Sequence, residues 1–282
     1  MSAGHGGAGW FDSHCHLQDP RLDGARADAI RELERLGVRE VVANATREAD
    51  WEAVAGLARD WPGLVRPAFG VHPWHAAAVA PGWEERLREI LLRHPGAAVG
   101  EAGLDKWMRD PDLAAQERVF RTQIRLAVEL ERPLVVHCLR AFGRLLEMLR
   151  AEPALPARGF LLHSYGGPAE MVPRFAALGG FFSVSPYFAA ERKAAQLGVF
   201  AQVPLDRLLV ETDAPDMRPP AEMNPHPLGG PDGEEINHPA NVVFACELAA
   251  RARGLAVEEM ARVAADNHRR LFGLNLDQGA TR

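Results

Sequence analysis

Cysteine is scarce. Cys15, Cys138 and Cys246 are the only three in 282 residues. Odd in number and far apart, they exclude a disulfide framework and point to a reducing cytosol. Long apolar runs are absent too, since no stretch reaches the ~18 continuous apolar residues that a membrane span needs. Basic charge is in deficit: 32 Lys+Arg stand against 38 Asp+Glu, a net charge of −6. That balance argues against bulk attraction to long duplex nucleic acid or to an anionic membrane. It does not exclude a local cationic pocket, because bound metal ions reverse the sign of a site. The stretch Met1-Ser2-Ala3-Gly4-His5-Gly6-Gly7 has neither the basic start nor the apolar core of a signal peptide. It reads as a flexible lead-in over residues 1–9, with His5 incidental. No glycine fingerprint follows the first apolar run, which disfavours an open dinucleotide-binding sheet. Neither an internal repeat nor a low-complexity linker divides the chain.

What is present is an alternation of short apolar runs with helix-period segments. Strands are predicted over 9–14, 38–45, 64–70, 97–103, 134–137, 159–163, 180–184 and 207–211. Between them, Ala29, Ile30, Leu33 and Leu36 recur at helical spacing and Gly37 stands where that helix should stop. Phe120, Ile124, Ala127 and Val128 mark another helix, closed by Arg132-Pro133. Leu145, Met148 and Leu149 mark a third, and Met260, Val263, Ala264 and Leu271 a terminal one. Each stripe reads as a face packed on a sheet. Eight strands alternating with helices point to a (β/α)8 TIM barrel as one domain over 10–275, with a tail over 276–282. One compositional break, 214–239, is rich in proline and glycine. It is expected to be a long irregular loop, a lid or a disordered segment.

In such a barrel the site forms at the C-terminal mouth, from residues that end several strands. The first predicted strand runs out through His14 and His16, the third into His72, and the fourth into Glu101 and Asp105. The fifth ends at His137, the sixth at His163 and the eighth at Asp213. Singly, His72, His137 or His163 could be a satisfied core histidine, and Asp213 could cap the segment after it. Jointly they supply ligands for two divalent ions. Side chains two apart on a strand share a face, so His14 and His16 can hold one ion, while His137 and His163 hold the other. Glu101 bridges both, and Asp213 ligates the first ion and faces the water between them. Two ions ~3.5–4 Å apart bring the pKa of a shared water toward ~7, and Asp213 can take its proton. Asp213 and Glu101 are therefore the catalytic candidates for metal-assisted hydrolysis. Mixed imidazole and carboxylate ligation suits Zn, Mn or Fe, whereas Mg prefers oxygen alone. Cys15 and Cys138 adjoin ligand candidates, but read as small fillers pointing the other way along their strands.

Six stretches carry a family resemblance: Phe11-Asp12-Ser13-His14-Cys15-His16-Leu17, Gly70-Val71-His72-Pro73, Val99-Gly100-Glu101-Ala102-Gly103-Leu104-Asp105, Pro133-Leu134-Val135-Val136-His137, His163-Ser164-Tyr165-Gly166-Gly167 and Leu209-Val210-Glu211-Thr212-Asp213-Ala214-Pro215. With Asn237-His238-Pro239 and the closing Asn267-His268-Arg269-Arg270-Leu271-Phe272-Gly273, the chain resembles the TatD-like metal-dependent hydrolases, within the amidohydrolase-type barrels. The resemblance implies a distorted TIM barrel with one to three divalent ions and, in several members, nuclease activity. It places His14, His16, Glu101, His137, His163 and Asp213 on the family's metal ligands and His72 on a histidine that contacts substrate phosphate. Asp105 is expected to support the structure around Glu101, and Asn267 to pack or hydrogen-bond on the last helix.

Departures fall on the substrate side. Leu139 and Arg140 follow Cys138 where the family commonly has arginine then aspartate, and Tyr165 replaces the usual Phe, so that its hydroxyl could reach a phosphate. The substrate expected is a short or single-stranded nucleic-acid end, cut by a DNase or 3′-exonuclease, with Trp74 or Trp107 as stacking candidates. The same metals could instead hydrolyse an ester or aminoacyl linkage, as in a D-aminoacyl-tRNA deacylase, or the fold could survive as a non-catalytic metal-binding scaffold. A cytoplasmic monomer is expected.

Overall fold

The computed structural model describes residues 9–273. The lead-in over 1–8, with His5, and the tail over 276–282 lie outside the described residues. Eight parallel strands pair in sequence order: β1 (Trp10–Cys15), β2 (Val38–Asn44), β3 (Val65–Phe69), β4 (Ala98–Asp105), β5 (Leu134–Leu139), β6 (Phe160–Leu162), β7 (Gly180–Val184) and β8 (Leu208–Val210). The helices between them are α1 (Arg26–Leu36), α2 (Trp51–Asp60), α3 (Trp83–Arg93), α4 (Leu113–Glu129), α5 (Phe142–Ala151), α6 (Val172–Ala176) and α7 (Ala194–Val199). After β8 come α8 (Val242–Arg253) and α9 (Val257–Phe272). This is the (β/α)8 barrel that the alternating pattern predicts. In α1 the predicted stripe buries Ala29, Ile30 and Leu33, and Gly37 ends the helix in the left-handed conformation at φ 77°, which only glycine adopts without strain.

The lumen is layered, and the layers follow from the two-residue period of a strand. Val42, Ala68, Ala98, Val135, Leu161, Phe181 and Leu209, one from each of β2 to β8, form a single apolar cluster with Leu271 and Phe272 of α9. Two residues toward the C-terminal end on the same face come Asn44, Gly70, Gly100, His137, His163, Ser183 and Glu211. Two residues the other way come Glu40 and Arg66, both buried. The barrel therefore has a charged floor, an apolar middle and a polar mouth.

One seam departs from a regular barrel. β8 and β1 share no ladder; the Asp12 carboxylate accepts instead from the Thr212 N–H at 2.9 Å and from Thr212 Oγ1 at 2.5 Å. Backbone bonds from Asp213 N to His14 O at 2.9 Å and from His16 N to Ala214 O at 2.7 Å complete the closure. The chain ends that carry His14, His16 and Asp213 are thereby tied directly to one another.

The 214–239 segment is more ordered than its composition suggests. It carries a small antiparallel hairpin of β9 (Pro227–Gly229) and β10 (Glu235–Asn237). Asn237 pins the hairpin to the barrel by donating from Nδ2 to Thr212 O at 2.8 Å. No helix among the described residues is long and apolar enough to cross a membrane.

Candidate metal centre and active site

Two sets of donor atoms meet at the mouth, and Glu101 stands between them. On one side His14 Nε2, His16 Nε2, Glu101 Oε2 and Asp213 Oδ1 converge. His14 Nε2 lies 3.2 Å from His16 Nε2, 3.5 Å from Glu101 Oε2 and 3.2 Å from Asp213 Oδ1. His16 Nε2 lies 3.3 Å from Glu101 Oε2 and 3.4 Å from Asp213 Oδ1. A tetrahedral shell with bonds of ~2.0–2.1 Å has donor–donor edges of about 3.3–3.4 Å, so this set has the spacing of a ligand shell around one ion. On the other side Glu101 Oε1 faces His163 Nε2 at 2.9 Å, His137 Nδ1 at 3.0 Å and His72 Nε2 at 3.4 Å. His137 Nδ1 and His163 Nε2 are 3.2 Å apart. These nitrogen and carboxylate donors fit divalent cations.

All six predicted ligand residues are thus brought to one place, Glu101 and His137 from within β4 and β5 and the others from at or just beyond the ends of β1, β6 and β8. His72, expected at the mouth, lies deeper: it is buried against Glu101 as well as lining the cavity. Tyr165 does not reach the cavity. Its ring is buried beside Phe142 and Phe182, and its hydroxyl donates to Pro168 O at 2.9 Å, so the side chain is consumed by the core rather than turned to the cavity, against the expectation that its hydroxyl reaches a phosphate. Arg140 points outward and stacks over the Trp107 ring, 3.7 Å from its centroid. Cys15 is turned away from the donors, toward Val42 O at 3.5 Å.

The electrostatics favour bound positive charge. Burial works against ionisation of Glu101, but the surrounding His163, His72 and His14 imidazoles outweigh it and hold the carboxylate well below its ordinary range. For Asp213 too, burial is outweighed by the hydrogen bonds and charge of His14 and His16. Burial lowers His16 and His163, but Asp213 and Glu101 more than offset it at His16, and Glu101 and Glu211 at His163, so both move up. His72 goes the other way, pushed down to about 4 chiefly by burial.

Several supporting side chains carry a weaker sequence signal. Glu211, fully buried, accepts from the hydroxyls of Ser164 and Ser183 and lies 3.6 Å from His163 Nδ1, which places a negative charge behind that ring. Asp105 Oδ2 lies 3.3 Å from His137 Nε2 and accepts from Trp74 Nε1 at 2.6 Å. Burial raises it, but the His137 and Trp74 contacts bring it down to about 2. Gln123 and Gln116 of α4 act as backbone clamps. Gln123 accepts from Val71 N at 2.8 Å and donates to Val71 O at 3.0 Å; Gln116 does the same for Asp105, at 2.9 and 3.0 Å. Each fixes the chain beside a site residue. Their signal was visible as two glutamines seven apart on one otherwise apolar helix face.

Two glycines let the strands come this close. A Cβ on Gly103, at φ 147°, would lie 1.9 Å from His137 O, and one on Gly70 would lie 2.7 Å from the Gly100 carbonyl carbon. Glu101 and His137 meet because β4 carries no side chain at that point.

Residues 11–273 match the family model described as TatD related DNase. The chain belongs to the TatD-related DNase family. Among its TatD relatives, an Escherichia coli K12 protein named as the uncharacterized metal-dependent hydrolase YjjV is 31% identical over 94% of this chain and 98% of its own. The 3′-5′ ssDNA/RNA exonuclease TatD of Erwinia tasmaniensis is 30% identical over 94% of this chain and 100% of its own. The human deoxyribonuclease TATDN3 is 28% identical over 94% and 95%. In three dimensions the crystal structure of E. coli YjjV superposes with a TM-score of 0.84 at 26% identity, covering 93% of this chain and 97% of that one.

Proposed function

We propose that this TatD-family chain is a divalent-metal-dependent hydrolase of phosphodiester bonds, a deoxyribonuclease that trims 3′ ends of short or single-stranded nucleic acid. One observation carries the reading: the two oxygens of buried Glu101 are divided between two sets of donor atoms. His14, His16 and Asp213 with Glu101 would hold one ion, and His137 and His163 with Glu101 a second. Such ions, when bound, polarise the phosphate and make water a nucleophile near neutral pH. Asp213 lines the cavity beside the first donor set and accepts the proton of the attacking water. Glu101 fixes the separation of the two donor sets. His72 contacts the substrate phosphate from the cavity wall.

The cavity above the donors is about 560 Å³, and the apolar layer closes the barrel beneath it. A strand therefore enters by its end rather than lying through the barrel. The acidic balance of the whole chain fits short ends better than long duplex. The site is complete within one chain, which supports a monomer. Three free cysteines, two of them buried, support a reducing cytoplasm.

The test strips the protein with a chelator and restores Mn²⁺, Zn²⁺ or Mg²⁺ separately. Each form is offered end-labelled single-stranded oligonucleotides and a panel of carboxylic and aminoacyl esters. Metal-dependent release of mononucleotides from the 3′ end, lost together with bound metal in Glu101→Ala, is the expected result. Ester cleavage without nucleotide release would transfer the same site to the ester reading. No hydrolysis of any substrate would leave a metal-binding scaffold.

A further inference from the structure

Two of the large apolar side chains left exposed stand next to the metal centre. Trp74 is 58% exposed and Trp107 60%. Both are tied to the same carboxylate: Trp74 Nε1 donates to Asp105 Oδ2 and Trp107 N donates to Asp105 Oδ1, each at 2.6 Å. That carboxylate also touches His137, at 3.3 Å. The Trp74 ring stands edge-on to His72 with centroids 4.8 Å apart. The Trp74 indole is therefore held in the cavity wall by its own N–H, while Trp107 is tied to the same carboxylate through its backbone and its ring is met by Arg140; most of both rings faces water. Packing does not account for them, because a ring that served the core would be covered.

Charge of the matching sign lies beside the outer ring. Arg140, at the end of β5 with φ 54°, stacks its guanidinium on Trp107 at 3.7 Å. Lys106 adjoins Trp107 in sequence and is exposed. Among the described residues neither cation has a carboxylate within ion-pair distance, unlike Arg21 of the cavity wall, which is bound by Asp19 and Asp216. Unpaired arginine and lysine beside stacked aromatics, in a chain of net charge −6, form the local combination that binds single-stranded nucleic acid.

We propose that Trp74 and the Trp107–Arg140 pair form a track for the single strand leading away from the scissile phosphate. One base stacks on Trp74 and the next on Trp107, while Arg140 and Lys106 meet the phosphate between or beyond them. The proposal rests on the nuclease reading and extends it: the enzyme senses at least two nucleotides beside the bond it cuts. Asp105 is then a positioning residue, holding the inner base platform and His137 on one carboxylate.

The test separates this track from the reaction. Fluorescence polarisation of labelled oligothymidylates, two and five nucleotides long, is measured with chelator-stripped protein, so that nothing is cut. Wild type should bind the pentamer tighter than the dimer. Trp107→Ala and Arg140→Ala should each weaken pentamer binding about tenfold and erase most of that length preference, and Trp107→Phe should restore much of the loss. Arg140→Ala should also reduce the slope of log Kd against log salt by ~0.7. With Mn²⁺ restored, the ratio of kcat/KM for the pentamer to kcat/KM for bis(p-nitrophenyl) phosphate should fall about tenfold in both alanine variants. If wild type cleaves the pentamer and both variants match it within twofold, the track is wrong and the nuclease reading stands. If wild type cleaves no oligonucleotide with any metal, the nuclease reading fails first.

Discussion

Glu40→Ala should destabilise the barrel from its floor without touching its chemistry. Glu40 and Arg66 are 3% and 1% exposed, and the guanidinium holds the carboxylate through Nε at 2.7 Å and Nη2 at 3.2 Å. His268 Nε2 donates to the same carboxylate at 2.7 Å, tying α9 to β2 and β3. Without Glu40 the guanidinium keeps only the Gly96 and Gly273 carbonyls, at 2.6 and 3.2 Å, and its charge stays buried. Breaking one side of a buried pair costs ~3–5 kcal/mol, or roughly 6–20 °C in Tm for a domain near this size. Urea unfolding and calorimetry at fixed metal concentration read both.

The double variant Glu40→Ala/Arg66→Met removes the orphaned charge and should recover ~2 kcal/mol of the loss. Folded Glu40→Ala should retain its hydrolytic rate, because the apolar layer separates floor from mouth. The pH dependence has a definite sign. Burial raises Glu40, but the His268 hydrogen bond and the Arg66 charge bring it below its ordinary range. Its contribution is therefore present above the unfolded value of ~4.3 and lost as pH falls through the folded value. His268 is lowered mainly by burial, so the unfolded chain takes up its proton first and stability also declines below ~6.5. Glu40→Ala should lose the lower part of this acid dependence. A single-variant cost under ~1 kcal/mol, or a double variant as unstable as the sum of both singles, would refute the argument.

Other consequences can be measured separately. Saturating a stripped site with Mn²⁺ or Zn²⁺ at about a hundred times its Kd should stabilise the fold by ~2.7 kcal/mol, or roughly 5–10 °C in a melting scan, and His14→Ala should abolish most of that rise. Gly103→Ala drives a Cβ to within 1.9 Å of His137 O, so β4 must part from β5; stability should fall by at least ~2 kcal/mol and elemental analysis should show metal lost with it. Tyr165→Phe should cost about 1 kcal/mol through the hydrogen bond to Pro168 and leave KM for an oligonucleotide unchanged. A raised KM would return Tyr165 to the substrate side.

The parts of this site that could be read in advance are those whose geometry is local. His14 and His16 share a face because a strand repeats every two residues, and the same period puts His137 and His163 one pleat above Val135 and Leu161 of the apolar layer. Hydrophobic runs fix where strands lie, a barrel puts their ends together, and the donor set follows from that. What stayed hidden depends on contacts between distant segments. The Asp12–Thr212 seam joins residues 200 positions apart, and nothing near Asp12 distinguishes a seam carboxylate from a turn residue. Glu40 is itself buried in β2, so its charge is explained only when Arg66 and His268 arrive from β3 and α9. Tyr165 was misplaced for the same reason in reverse: the local motif gives its position in the chain, whereas Pro168 O and the surrounding phenyl rings decide where the hydroxyl goes. A strand-end residue is therefore predictable as a donor when its own pleat aims it at the mouth. One held by a partner elsewhere in the fold is not, and that difference separates the six candidate ligand residues from Tyr165.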